Sequence, residues 1–329
     1  MAAKIWISWE KHRRTRELST CFGAELFEFV DKKHGVIRYL RCIFRTVAVI
    51  SSAGPKVLFV QNPSIVLTFL VVLLKPLFGF FLVVDRHSNL KLDKRNSMSP
   101  KWLLFHKISD FTLRAADLTI VTNTFLVDYI EKTGGRGFVL QDKLPLFRGF
   151  NMSSNERVVV FICSYGLDES FVEFLEAASD FTDVSFYVTG SYMNAVQKGR
   201  LKLDKVPNNV TLTGYLGDDQ YIALLRSAAV VAVITTQEFT LNCGAYEAVS
   251  LGKPMILGDT DTIHSYFYKG AVYVDGTVED YRRGIKDALS NIDRLREEVT
   301  ALKNELQTAW SIRFNELNEI IESHLPRNP

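Results

Sequence analysis

The residues from Thr235 to Pro254 are those whose types and order can do chemistry. An apolar run ends just before them, Asn242 is a good helix N-cap, Gly244 opens a short helical pattern, and Gly252 followed by Pro254 stops it. A strand, loop and helix of this kind leave the backbone N–H groups of Asn242 to Ala245 without helical acceptors, and that positive helix end can receive a diphosphate. Glu247 lies about one turn further, on the side of Gly244, where its carboxylate can accept hydrogen bonds from the two hydroxyls of a ribose. The passage therefore describes a grip for a nucleoside diphosphate. A helix that merely faced solvent would not need glycine, flanking carboxylates and a Gly-Lys-Pro stop at these offsets together.

A second set of candidates lies in the first half of the chain. Val83-Val84-Asp85-Arg86-His87-Ser88-Asn89 follows a strand, and His87 can bond a sugar hydroxyl or assist proton transfer with Asp85 orienting its ring. Lys11, Arg13, Arg14 and Arg16 crowd an expected helix start, where the dipole favours anions over cations. Arg13 and Arg14 gain a purpose there if they meet a phosphate-bearing acceptor, such as a polyprenyl-linked sugar, or an anionic membrane surface. A solvated cationic face fits the same residues. Asp259-Thr260-Asp261 spells a divalent-metal motif, but it follows a strand where an ordinary loop is expected, so no metal and no cofactor are expected.

The elements that must position these groups are legible as two series. Apolar runs at Lys4–Ser8, Lys56–Gln61, Phe80–Asp85, Leu118–Val121 and Gly137–Leu140 alternate with helical patterns, as a doubly wound parallel sheet requires. A polar, turn-rich stretch with Pro145, Gly149, Asn151, Ser153 and Ser154 separates them from runs at Val158–Ile162, Val184–Thr189, Val210–Thr213, Val230–Ile234, Pro254–Leu257 and Ala271–Val274. The expected division is an acceptor-side domain over 1–150, a nucleotide-sugar domain over 151–290 and a helical segment over 291–329 packing back on the body. The fold class is α/β, with two Rossmann-like domains whose strand ends face a shared cleft.

Composition agrees with an ordinary globular protein. The 329 residues exceed one core, 47% are hydrophobic and 23% charged, and a net charge of +2 gives no reason to expect nucleic-acid binding. Cys21, Cys42, Cys163 and Cys243 stand singly, which argues against a disulfide framework or a zinc site and fits a reduced cytoplasmic protein. No export signal is visible in Met1–Glu10. Ser64 to Val84 is apolar enough to raise a membrane span, but Lys75, Pro76 and Gly79 interrupt it, predicting a buried helix to about Leu74 and then a strand.

The passage around Glu238 and Glu247 resembles the donor motif of the family-four GT-B glycosyltransferases, two glutamates followed by a GxP turn. The likeness extends to Asn208-Asn209-Val210-Thr211-Leu212-Thr213-Gly214-Tyr215-Leu216, to Tyr221-Ile222-Ala223-Leu224-Leu225, and to Ala115-Ala116-Asp117-Leu118-Thr119-Ile120-Val121-Thr122. It implies a transferase that moves a sugar from a UDP- or GDP-type donor to a glycan or lipid-linked acceptor in polysaccharide assembly. The expected place is the cytoplasmic side, at the inner face of a membrane. It assigns the ribose to Glu247, the donor sugar to Glu238, and the phosphates to the loop Thr240, Leu241, Asn242, Cys243 and Gly244, with Tyr215 lining the base pocket. The chain departs from the pattern twice. Glu238 and Glu247 enclose eight residues rather than seven, and the helix after Cys163 opens with Asp168 and Glu169 where the family has a cation. Arg148, Lys198, Arg200 or an arginine of the first domain can replace that charge. Without it, two other readings stand: a non-catalytic subunit of the same fold that partners a transferase, and a nucleotide-sugar epimerase.

Overall fold

The computed structural model describes residues 3–31, 35–62, 64–87, 91–147 and 157–325. Ser88, Asn89, Arg148 and the linker residues Gly149, Asn151, Ser153 and Ser154 lie outside the described residues. The chain divides into two compact units, Met1–Lys143 with Ala309–Pro329, and Leu144–Thr308.

In the first unit the chain runs β1 (Lys4–Ser8), α1 (Arg13–Cys21), β2 (Glu25–Glu28), α2 (Val36–Ala53), β3 (Val57–Asn62), α3 (Ile65–Phe78) and β4 (Phe81–Arg86). It continues through α4 (Pro100–Ala115), β5 (Leu118–Val121), α5 (Thr124–Lys132) and β6 (Gly137–Val139). The six strands form a parallel sheet in the order β2-β1-β3-β4-β5-β6. Strand alternation feeds two cores. Ile5, Ile7, Leu58, Val60, Leu82 and Val84 meet α2 and α3 on one face, while Trp6, Phe59 and Val83 meet Leu18 and Phe22 on the other.

Two sequence expectations change here. The helix over the apolar stretch does not stop at Leu74 but continues through Pro76 to Phe78, where Gly79 at φ 67° donates its N–H to the Lys75 carbonyl at 2.8 Å. Proline in a last turn removes one intrahelical bond without forcing an end. The short edge strand β2, Glu-Leu-Phe-Glu with a glutamate at each end, is not among the strands expected from the sequence. Its register against β1, Ile5 opposite Glu25, supplies what its composition does not. No described helix is long and apolar enough to cross a membrane.

In the second unit the order is β7 (Val158–Phe161), α6 (Phe171–Ala178), β8 (Ser185–Thr189), α7 (Met193–Gln197), β9 (Val210–Gly214), α8 (Asp218–Ser227), β10 (Val230–Val233) and α9 (Cys243–Ser250). It ends with β11 (Met255–Gly258), α10 (Asp261–Tyr266), β12 (Ala271–Val274), α11 (Val278–Ser290) and the long α12 (Ile292–Glu322). The parallel sheet has the order β12-β11-β10-β7-β8-β9. The chain therefore moves one way from β7 and the other way from β10. These two adjacent strands are the topological switch point, beyond whose carboxyl ends open α/β sheets bind ligands.

The last helix is shared between the units. Leu295, Val299 and Leu302 join the cores of the second, whereas Trp310, Leu317 and Ile321 join the first. Trp310 donates its indole N–H to Gln141 O at 3.1 Å.

Candidate functional site

In the second unit the loops after β7 and β10 form the site. Helix α9 begins at the switch point, and glycine seats it closely there, because a Cβ on Gly244 would lie 2.9 Å from Ile162 Cδ1 and 3.1 Å from Val233 Cγ2 and those side chains would have to shift. The close seat brings the first turn of the helix against the strand ends. Asn242 precedes it in an extended conformation at φ −79° and ψ 136°, and its side chain makes no capping bond. Ala245 N–H donates to Asn242 O at 3.1 Å in this first turn, and the positive end of the helix dipole there favours an anion. Cys243 is exposed at this turn, and Leu241 packs on the core beneath it.

Glu247, one turn further and 9% exposed, accepts a hydrogen bond from Tyr221 Oη of α8 at 2.6 Å. A carboxylate buried this far needs donors to hold it, and the tyrosine fixes its orientation. The Gly-Lys-Pro stop is tied to the same helix. Lys253 Nζ donates to Arg226 O at 2.5 Å and Ala228 O at 2.7 Å, clamping the end of α8 beside α9. Burial pulls the Lys253 ammonium down to about 8.

Glu238 stands elsewhere in this structure. Its carboxylate accepts the Asp261 N–H at 3.0 Å and the Thr262 hydroxyl at 3.1 Å, so it is turned onto the positive first turn of α10. Phe239, with φ 63°, donates its N–H to Thr262 Oγ1 at 3.0 Å and locks the loop in the same place. Thr240 Oγ1 reaches the Glu238 carbonyl at 3.5 Å. Tyr215, expected at a base pocket, is 85% exposed beyond β9. The Asp-Thr-Asp sequence also has local partners: Asp259 meets His264 at 2.6 Å and Thr260 caps α10.

The loop after β7 explains where the departure at Asp168 and Glu169 leads. Tyr165 takes a left-handed φ of 58°, which turns the N–H groups of Ser164 and Gly166 to one point, and Glu169 Oε2 fills it at 2.9 and 2.7 Å. Successive N–H groups converging in this way make an anion nest. Asp168 accepts from Thr235 Oγ1 at 2.7 Å and so joins the loops that follow β7 and β10. Of the expected substitute cations, Arg200 reaches this loop, donating to Tyr165 O at 2.7 Å and to Gly166 O at 3.3 Å. Lys198 is exposed at the end of α7.

In the first unit the pair drawn from the sequence is present. Asp85 Oδ2 lies 3.3 Å from His87 Nδ1, which selects the tautomer that leaves Nε2 as acceptor. Burial by itself raises the Asp85 pKa, but the charge of Arg14 and the bond from His87 outweigh it and hold the carboxyl at about 2. His12, which carried no role in the sequence, stacks on His87 with ring centroids 4.3 Å apart. Burial and then the charge of His87 lower the pKa of His12.

Arg14 is not a phosphate ligand waiting for an acceptor. It is 2% exposed and donates from Nε to Asp85 at 2.9 Å, from Nη1 to Asp142 at 2.6 Å and from Nη2 to Leu140 O at 2.8 Å. The cation that sits against the helix dipole is there to neutralise two aspartates from distant parts of the chain. Arg13 meets Glu17 at 3.7 Å on the same helix.

Residues 156–292 match the family described as glycosyl transferases group 1. No curated protein matches the chain significantly. Among solved structures, sucrose-phosphate synthase from Thermosynechococcus elongatus is similar with a TM-score of 0.70 at 15% identity, over 90% of this chain and 80% of that one. Anabaena HepE, solved with UDP and glucose, has a TM-score of 0.66 at 14% identity over 97% and 90%. TarM from S. aureus, solved with UDP among its ligands, has 0.62 at 14% over 83% and 59%. The two six-stranded parallel sheets, the switch point between β7 and β10 and these likenesses agree: the chain has the GT-B fold, and its residues 156–292 match the group 1 glycosyltransferase family.

Proposed function

We propose that this protein is a glycosyltransferase that moves a sugar from a nucleoside diphosphate sugar to a glycan or lipid-linked acceptor, in polysaccharide or glycoconjugate assembly on the cytoplasmic side of a membrane. The observation that carries the donor assignment is Glu247, buried and held by Tyr221 one turn inside a helix seated against the switch-point strands. A ribose at this carboxylate places the diphosphate at the first turn, where backbone donors and the helix dipole meet it. The UDP bound by HepE and TarM supports a uridine donor. His87, oriented by Asp85, is the group on the first unit assigned to the reacting sugar or the acceptor hydroxyl. The reaction is assigned no metal.

A ligand that binds only the folded state raises its melting temperature. Thermal unfolding against UDP, GDP, ADP and CMP is expected to give a rise of several degrees, about 3–8 °C at 100-fold saturation, for a uridine or guanosine diphosphate. No response to any of the four would favour the second reading, a non-catalytic subunit. Glu169 gives that reading its support, because it fills with the chain's own carboxylate a nest that could hold a phosphate.

The membrane contact is supported by the outer faces of α2, α3 and α4. Ile37, Leu40, Phe44, Leu73, Leu77 and Leu104 are all more than 40% exposed there. Arg41, Arg45, Lys101 and Lys107 stand among them, and Asp110 is the one acidic residue of the three helices. Apolar side chains interleaved with cations fit an anionic bilayer surface. Sedimentation with phosphatidylglycerol vesicles should fall about tenfold in Arg41→Glu/Arg45→Glu. Equal binding of parent and variant would remove this assignment.

A further inference from the structure

With Arg14 neutralised, Arg86 is a buried cation of the first unit that meets no counter-charge among the described residues. Arg86, the last residue of β4, is 2% exposed. Its Nη2 donates to Ser109 Oγ of α4 at 2.8 Å, while Nε and Nη1 have no hydrogen-bond partner among the described residues. Asp110, a carboxylate whose charge acts on it, is engaged by Arg95 through both oxygens at 2.9 and 2.8 Å and by Tyr129 at 3.1 Å. Burial draws the Arg86 pKa down to about 10, still far above neutrality, so the guanidinium is charged. A buried charge without an opposite charge is strongly unfavourable.

The adjacent strand adds a further unpartnered donor. Asn62 stands directly across the ladder from Arg86, in the β3–β4 register, is 4% exposed, and its Nδ2 has no partner. Burial and the charge of Arg95 lower the pKa of His106, buried one turn before Ser109 on α4. Three unpartnered donor atoms at the carboxyl ends of two adjacent strands describe a place built for an oxyanion.

We infer that Arg86 and Asn62 form a buried oxyanion site that takes the carboxylate or phosphate group of a ligand bound by the first unit. The inference rests on the transferase reading only in naming that ligand as an anionic acceptor; the site itself stands on the missing counter-charge. A planar guanidinium with two free N–H vectors suits two oxygens of one anion, and the facing amide supplies a further donor.

Asn62→Asp tests this without emptying the site, because it places a carboxylate opposite the guanidinium. Melting temperatures are measured with phosphate and, separately, acetate, each against chloride at equal ionic strength. The parent protein is expected to rise by about 3–5 °C in about 50 mM phosphate. A response to acetate as well assigns the site to carboxylates and phosphates alike; a response to phosphate alone assigns it to phosphate groups. Asn62→Asp is expected to melt higher than the parent in chloride and to lose the response. A parent that responds to neither anion, or a variant that responds as the parent does, overturns the site. The second outcome would place the anion elsewhere, at the first turn of α9 for example. A UDP response measured on the same variant separates this result from failure of the donor assignment, since Glu247 lies in the other unit.

Discussion

Replacing Arg14 with methionine is expected to lower the unfolding free energy by about 3–5 kcal/mol, the range seen when one member of a buried ion pair is removed. The expected loss in melting temperature is on the order of 10 °C. The reason is geometric. Arg14 serves Asp85, fully buried, and Asp142, largely buried, and methionine fills similar volume while leaving both carboxylates without their cation. The variant also changes the pH dependence. Asp85 titrates at about 2 in the parent, below its ordinary value of 3.8, so it contributes stability that is present above pH 4 and lost as pH falls through 2. That contribution is about 2 kcal/mol. Without Arg14, burial raises the Asp85 pKa, and the sign reverses: stability falls as pH rises from 4 towards 7. All four tryptophans, Trp6, Trp9, Trp102 and Trp310, belong to the first unit, so their fluorescence in urea titrations reports this unit directly. A variant as stable as the parent at pH 7, or one that keeps the parent's acid limb, would refute a structural role for Arg14.

Glu247→Gln is expected to lower kcat/KM for sugar transfer about 100-fold, almost entirely through KM. A carboxylate that accepts two ribose hydroxyls makes charge-assisted bonds worth about 1.5–3 kcal/mol each, and glutamine keeps an acceptor oxygen but loses the charge. The ribose is remote from the bond that breaks, so the contact is the same in ground and transition states and kcat should stay within a few-fold. The thermal response to nucleotide should vanish in parallel. Tyr221→Phe is a graded control. It removes the hydroxyl that holds Glu247 at 2.6 Å and should cost about 5–10-fold, since one hydrogen bond is lost while the carboxylate remains. A large drop in kcat with KM unchanged would show that Glu247 acts on the reacting sugar instead.

Both results depend on contacts that differ in how far they could be read from the chain. The helix from Cys243 to Ser250, its glycine, its stop and the two alternating series of strands are local matters. Capping, turn chemistry and hydrophobic period act within a few residues, so Asn242, Gly244, Glu247 and Pro254 could be given places before any fold was known. The same local logic misled at Arg14. A cation in the first turn of a helix looked unfavourable because its partners, Asp85 and Asp142, lie 71 and 128 residues away and carry no sequence mark of the pairing. Glu238 is a similar case, since the motif fixes its spacing to Glu247 but not which donors its carboxylate will meet. The fold brings up the first turn of α10, and those donors take it. His12 stacks on His87, Tyr221 holds Glu247, and Arg86 is buried without a counter-charge only because strands distant in sequence become neighbours. The sequence by itself determined which segments become strands and helices and where a helix start meets the end of a strand, because those preferences are local. The tertiary structure alone decided which charges are paired, which are buried and which are left to bind a ligand, because electrostatic partners are chosen by distance in space.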